Sequence, residues 1–162
     1  EGTEKRIERG EVEIAGYEDN GAVILVEKTG SQLRVPKTVW NKTSHNAGWH
    51  GSKLLGNILV DRKFPYPKSL YSVMDSLRVV CQKEDAIIVD FFAGSGTTLH
   101  AVNLLNAEDG GHRRCIMVTN NEVSDAEAKS LTKQGKKPGD EEWERLGIAR
   151  YVTWPRTVCS IE

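Results

Sequence analysis

Residues 87–102 read IIVDFFAGSGTTLHAV, and this stretch constrains the chain more than any other. A continuous run of β-branched and aromatic residues, AIIVDFF at 86–92, meets a turn of small residues. The turn enters a helix-forming stretch, TTLHAVNLLNAEDGG at 97–111, closed by two glycines. An apolar run without alternation predicts a central parallel strand covered on both faces. RCIMVT at 114–119 reads as a second buried strand. Strand, helix and strand in that order predict a right-handed crossover and an α/β fold with a Rossmann-like sheet.

The turn itself suits a ligand. Gly94 and Gly96 allow a sharp bend and a close backbone approach. The helix that follows offers unpaired N–H groups to a carboxylate or other anion. A dinucleotide fingerprint would place a third glycine where Leu99 stands, and a phosphate-binding P-loop would place a lysine where Thr97 stands. Both gaps favour a binder of S-adenosyl-L-methionine (AdoMet) over a pyrophosphate binder. A plain strand-to-helix turn with no ligand stays open.

The rest of the chain divides in two. EVEIAG at 11–16 and AVILV at 22–26 are β-like, and Asn20-Gly21 between them is a hairpin-turn signal. Residues 1–41 therefore read as an antiparallel β appendage or the tail of an upstream region, and 42–162 as the Rossmann-like portion. KTSHNAGWHGS at 42–52 reads as a loop. FPYPKSLYSVMDSLRVVCQKED at 64–85 spaces Leu70, Val73, Met74, Leu77, Val80 and Cys81 as a helix does, with Pro67 in its first turn. Asp140 is placed to cap a helix through EEWERLGIARY, after a loop at 133–142, and Arg150 and Arg156 flank a last strand-like stretch.

Composition matters mainly for what it withholds. With 162 residues and a net charge of −1, the chain has one domain's length and no overall basic signal, so any nucleic-acid surface must be local or lie elsewhere. Cys81, Cys115 and Cys159 are far apart and form no metal-ligand spacing, and the four histidines show no HxxxH pattern; free thiols in a reducing cytosol are expected, with no metal. No signal peptide and no apolar run near about 18 residues is present, so we expect a cytoplasmic protein without a membrane partner. The chain opens at Glu1 without methionine and closes on TVCSIE, and we expect a portion of a longer protein.

VDFFAGSGTT at 89–98 resembles the AdoMet-binding motif of DNA methyltransferases that modify exocyclic amines. FPYPKSLYSVMDSL at 64–77 resembles the helix that precedes this motif in that family, and RRCIMVTNNE at 113–122 resembles the next strand. GIARYVTWPRTVCSI at 147–161 is similar to the stretch that follows in adenine-specific enzymes related to type III modification subunits. The resemblance spans roughly 40–162 and has the permuted order called the β class. It implies that Phe91, Phe92, Ala93, Gly94, Ser95, Gly96 and Thr97 line the methionine part of AdoMet, with turn amides and the Ser95 and Thr97 hydroxyls on its carboxylate. It places Lys68 and Ser69 on the carboxylate side and Asp90 near the ammonium group, unless Asp90 is a turn cap. Glu122, with Asn121 as its rival, would take the ribose hydroxyls.

One part of the family's pattern is missing. The catalytic [D/N/S]-P-P-[Y/F/W] loop holds the target amine and stacks an extruded base. The prolines here are Pro36, Pro65, Pro67, Pro138 and Pro155, and no two are adjacent. The resemblance therefore implies catalytic residues upstream of Glu1, in an enzyme that methylates adenine N6 of duplex DNA, with DNA and a restriction subunit as candidate partners. The alternatives are a stand-alone small-molecule or nucleotide-binding module without transferase activity, and a piece of an NAD-dependent oxidoreductase, which the absent third glycine disfavours. His45, Trp49 and His50 fit either a loop packed on the sheet or contacts to DNA phosphate or a base, and Trp143 and Trp154 read as core or interface residues rather than base-stacking groups.

Overall fold

The computed structural model describes residues 3–18, 20–27, 36–61 and 64–161. The chain divides into two units, 1–38 and 39–162. In the first, Thr3–Glu8 is a helix (α1), and Val12–Tyr17 (β1) pairs antiparallel with Val23–Glu27 (β2). The expected hairpin turn forms because the Asn20 side-chain carbonyl accepts the Ala22 N–H at 2.8 Å and Gly21 takes φ +82°. The pairing register shifts between Ile14 and Gly16, a bulge at Ala15. Residues 28–35 of the expected appendage lie outside the described residues.

The second unit is helical from near its start. Residues 42–52, expected as a loop, hold a 3-10 turn at Thr43–His45 and a π-helical stretch at Gly48–Lys53 that continues into a helix, Leu54–Ile58 (α2). Asn46 Oδ1 caps this stretch by accepting the Trp49 N–H at 3.1 Å. Gly51 is buried where any Cβ would collide with the Pro67 carbonyl, so only glycine lets this helical segment lie against residues 67–68.

The next helix starts later than the apolar spacing suggested. Leu70–Val80 (α3) is capped by Ser69, whose Oγ accepts the Ser72 N–H and donates to the Ser44 carbonyl at 2.8 Å. Pro67 lies before the helix, because Ser69 is extended, with ψ 129°, and the helix begins only after it. Leu70, Met74 and Leu77 then share one buried face.

Ile87–Asp90 (β3), Thr97–Asp109 (α4) and Arg114–Met117 (β4) form the strand–helix–strand unit read from the sequence. The strands are parallel, with Ile87 opposite Arg114 and Asp90 opposite Met117. Gly110 ends α4 in the left-handed region at φ +72°. Ile88, Ala101, Val102 and Leu105 close the core with the apolar face of α3. The expectation of cover on both faces does not hold within these residues: Ile88 is buried, but Ile87, Val89, Ile116 and Val118 are about half exposed. Two apolar faces need two covering layers, and among the described residues α3 and α4 cover only one.

The C-terminal third is more helical than expected. Asp125–Lys133 (α5) was not foreseen; its signal was Ser124 with Glu127 three residues on, a capping box in which Ser124 Oγ accepts the Glu127 N–H and donates to Glu127 Oε2 at 2.6 Å. Glu141–Arg145 (α6) is shorter than the expected 141–151 helix. Asp140 precedes it, but its carboxylate accepts the Lys137 N–H at 2.9 Å instead of capping the helix. The expected final strand is instead a π-helical stretch, Ala149–Thr153, running into a helix, Trp154–Ile161 (α7). Pro155 lies where the π-helical stretch passes into α7.

Candidate functional site

The glycine turn joins β3 to α4. Asp90 Oδ1 accepts the Phe92 N–H at 3.1 Å and Oδ2 accepts the Thr98 hydroxyl at 2.6 Å, so the carboxylate ties the strand end to the first turn of α4. This is the turn-cap role that the sequence had left open for Asp90. Gly96 N donates to Ala93 O at 2.7 Å and closes the bend. Gly94 and Gly96 have φ of +50° and +76°, a conformation that favours glycine. From the far side, Thr153 Oγ1 donates to the Gly94 carbonyl at 2.5 Å.

The two glycines face different surroundings. A Cβ at Gly94 would touch the Phe64 ring at 3.4 Å, on the side of an open cleft. A Cβ at Gly96 would meet Thr153 Cγ2 at 3.3 Å and the Thr153 carbonyl at 3.5 Å. Gly96 thus packs beside Thr153, at the end of the stretch that leads into α7.

The cleft has a volume of about 400 Å³, within the range of small-molecule sites. Of the sequence-predicted residues it brings together Lys68, Asp90, Phe92, Ala93, Gly94, Ser95 and Thr97. Sequence reasoning missed the opposite wall, Phe64 to Pro67, and Thr98. Tyr66 and Phe92 are both more than nine-tenths exposed, so two aromatic rings stand in solvent on the cleft wall. Ser69, Phe91 and Gly96 are not in that wall: Ser69 is engaged as the α3 cap, Gly96 is buried against Thr153, and Phe91 is exposed elsewhere on the surface.

Asn121 and Glu122 part company. Asn121 Nδ2 donates to the Glu144 carbonyl at 2.8 Å and to its carboxylate at 2.7 Å, while Oδ1 accepts the Arg150 N–H at 3.1 Å. The hydrogen bond from Asn121 holds the Glu144 carboxyl below the usual carboxylate range. The Asn121 amide is a brace between the segment after β4 and the C-terminal helices, and any Cβ at Gly147 would strike it. Glu122 is exposed and lines a second cleft of about 310 Å³, which shares Phe64 and Pro65 with the first.

Beneath the turn lies a residue that sequence analysis left unassigned. Arg156, on α7, has no exposed surface. Its Nη1 donates to Thr97 Oγ1 at 2.9 Å and Ser95 Oγ at 3.1 Å, and its Nε to His100 Nδ1 at 3.4 Å. The Ser95 and Thr97 hydroxyls, expected to face a ligand, are therefore turned inward as acceptors, and the turn amides are left for the cleft. Burial pulls the Arg156 guanidinium down to about 10, still charged at neutral pH. Burial, with the Arg156 charge beside it, pulls His100 down to about 4, so its imidazole is neutral and accepts. No local pattern marks Arg156 in sequence, since its partners lie 56 to 61 positions away. A cleft floored by a helix N-terminus and backed by a buried cation suits a ligand carrying a carboxylate.

Residues 5–146 match the family described as DNA methylase, the N6/N4 type. A type II methyltransferase of Klebsiella pneumoniae, M.KpnI, is 37% identical over 103 residues, covering 63% of this chain and 24% of its own. The type III restriction-modification enzyme EcoPI Mod subunit of Escherichia phage P1 is 36% identical over 88 residues, 54% of this chain and 13% of that one. The StyLTI Mod subunit of Salmonella typhimurium is 39% identical over 80 residues, 49% and 12%. The chain thus spans between about an eighth and a quarter of the length of these relatives.

Proposed function

Since this chain belongs to the N6/N4-type DNA methylase family, we propose that it is the AdoMet-binding portion of a restriction-modification DNA methyltransferase acting on adenine N6. The observation that supports this reading is the 400 Å³ cleft at the carboxyl end of β3, where the left-handed Gly94 turn and the start of α4 face Lys68. AdoMet would supply an activated methyl group on a sulfonium centre.

The residues of the chain have separable tasks in that reading. The amides at the start of α4 and the Lys68 ammonium bind the amino-acid carboxylate. Ala93 and Gly94 keep the turn wall low enough for a ligand to lie against backbone. Phe92 and Tyr66 offer apolar faces on the cleft wall for a ligand to pack against. Glu122 accepts the ribose hydroxyls from the neighbouring cleft, and it is preferred over Asn121, whose amide braces Glu144 and the Arg150 N–H.

Transfer itself needs a group that holds the exocyclic amine in line with the methyl and accepts its developing charge. With no adjacent prolines in the sequence, we assign that group, most of the DNA contacts and any restriction-subunit contact to parts of the protein beyond these 162 residues. Among the described residues no helix is long and apolar enough to cross a membrane.

Calorimetry with AdoMet, S-adenosylhomocysteine, NAD and ATP tests the reading. The first two should bind and the others should not. Preferential binding of NAD would favour the oxidoreductase alternative. Robust tritiated-methyl transfer to DNA by this chain alone would show that the catalytic group had been misassigned.

A further inference from the structure

A fully buried arginine is ordinarily matched by a carboxylate, because an unmatched charge in a protein interior is costly. Arg156 has no exposed surface, and among the described residues no Asp or Glu forms an ion pair with it. Its polar partners are neutral: the Ser95 and Thr97 hydroxyls, the Ser95 carbonyl and the His100 ring. Its Nη2 is buried and has no hydrogen-bond partner among the described residues. The whole arrangement lies directly under the turn that opens α4, whose N-terminal amides already make that position electropositive. Two positive features placed back to back repel each other in the absence of a ligand. That is an unfavourable arrangement for a structural arginine and a favourable one for a site that takes an anion.

We infer that Arg156 is a positioning residue of the cofactor site, fixing the Ser95 and Thr97 side chains from below and supplying a charge that the carboxylate of the ligand balances across the turn. This rests on the AdoMet reading given above. With no surface reachable from the cleft, Arg156 acts through the turn and not by contact with the ligand. In a partly desolvated site its charge is screened less than a surface charge would be, so it still acts on an anion seated on the far side of the turn amides. Its fork also sets which way the Ser95 and Thr97 hydroxyls point, and this leaves the amides as the donors available in the cleft.

The test uses paired ligands that differ only in the group concerned: AdoMet and decarboxylated S-adenosylmethionine, each titrated calorimetrically into the full chain and two variants. The wild-type chain should prefer AdoMet. Arg156→Met should lose about tenfold in affinity for AdoMet and less than about twofold for the decarboxylated ligand, the scale of one charge-assisted interaction. Arg156→Lys, which keeps the charge with a shorter reach, should retain most of the preference, and it carries the test where Arg156→Met fails to give a cooperative thermal transition. Equal weakening of both ligands in the variants would mean that Arg156 only shapes the turn, and would overturn the inference. A wild-type chain that binds both ligands equally would also overturn it and leave the AdoMet reading standing. A wild-type chain that binds neither would sink the AdoMet reading and this inference together.

Discussion

The Thr153 hydroxyl donates to the Gly94 carbonyl at 2.5 Å, tying the start of the C-terminal helix to the glycine turn 59 positions earlier in the chain. Thr153 is buried, so removing the donor leaves a carbonyl without its partner. Thr153→Val should lower stability by about 1–3 kcal/mol, the usual cost of a buried unsatisfied group. It should also weaken AdoMet binding, since the turn loses a tether. Thermal melts and calorimetry of the variant check both effects; unchanged binding would show that the turn holds its shape without α7.

The two glycines of the turn should respond differently to substitution. Gly96→Val places a branched side chain at φ +76° against Thr153, with its nearest neighbour only 3.3 Å from the Cβ position. The loss should be one of folding stability, at least about 1–2 kcal/mol for the left-handed strain alone. Gly94→Ala places a methyl at ordinary contact distance from Phe64, inside the cleft. It carries left-handed strain too, at φ +50°, but here a loss of ligand affinity should come on top of the loss of stability. Denaturant curves beside binding isotherms separate the two, and a reversal of the pattern would contradict the assignment of cleft and packing sides.

His100 gives the chain a pH dependence of definite sign. Burial and Arg156 pull its folded value down to about 4, below the 6.5 of a free imidazole. A depressed folded value means a contribution that is complete above about pH 6.5 and is lost as pH falls toward 4, because the unfolded chain takes up the proton first. The loss over that window should be about 1–3 kcal/mol. His100→Gln, which keeps an acceptor for Arg156 Nε, should flatten it. Urea unfolding at several pH values measures the slope. Asp75 adds a second loss at lower pH: burial raises its carboxyl, but hydrogen bonds from Lys42, His45 and Arg78 outweigh this and bring it down to about 2, so its contribution disappears between about pH 4 and 2.

Much of this arrangement was legible in sequence where the signal is local. The run at 86–92, the small-residue turn and the glycine after α4 each announce themselves within a few positions, and the hairpin follows from Asn20-Gly21. The helical ends escaped for the same reason in reverse. Ser124 and Glu127 are a local capping signal that went unread, whereas the π-helical stretch at Ala149–Thr153 depends on tertiary neighbours such as Asn121 and Gly94. The site shows the same division. Residue types facing the cleft were foreseen at Lys68, Asp90 and 92–95, but the inward turn of the Ser95 and Thr97 hydroxyls depends on Arg156, about 60 positions away. A continuous apolar run also cannot tell a covered face from an open one, which is why Val89 and Ile116 were expected to be buried.

That sheet yields its own prediction. Ile88 belongs to the core and Val89 to the open face. Ile88→Ala should cost about 2–5 kcal/mol, whereas Val89→Lys should change stability by no more than about 0.5 kcal/mol and reduce binding of an apolar dye. Comparable losses from both substitutions would mean that the second face is covered.

The central claim is that the cleft at the Gly94 turn holds AdoMet, and amide chemical-shift mapping tests it most directly. Titration of the isotopically labelled chain with S-adenosylhomocysteine should move the amides of residues 92–98 and of Tyr66, Lys68 and Glu122, while an equal excess of NAD should leave them in place. Shifts confined to other regions, such as the 43–57 surface, or identical shifts from both ligands, would contradict it.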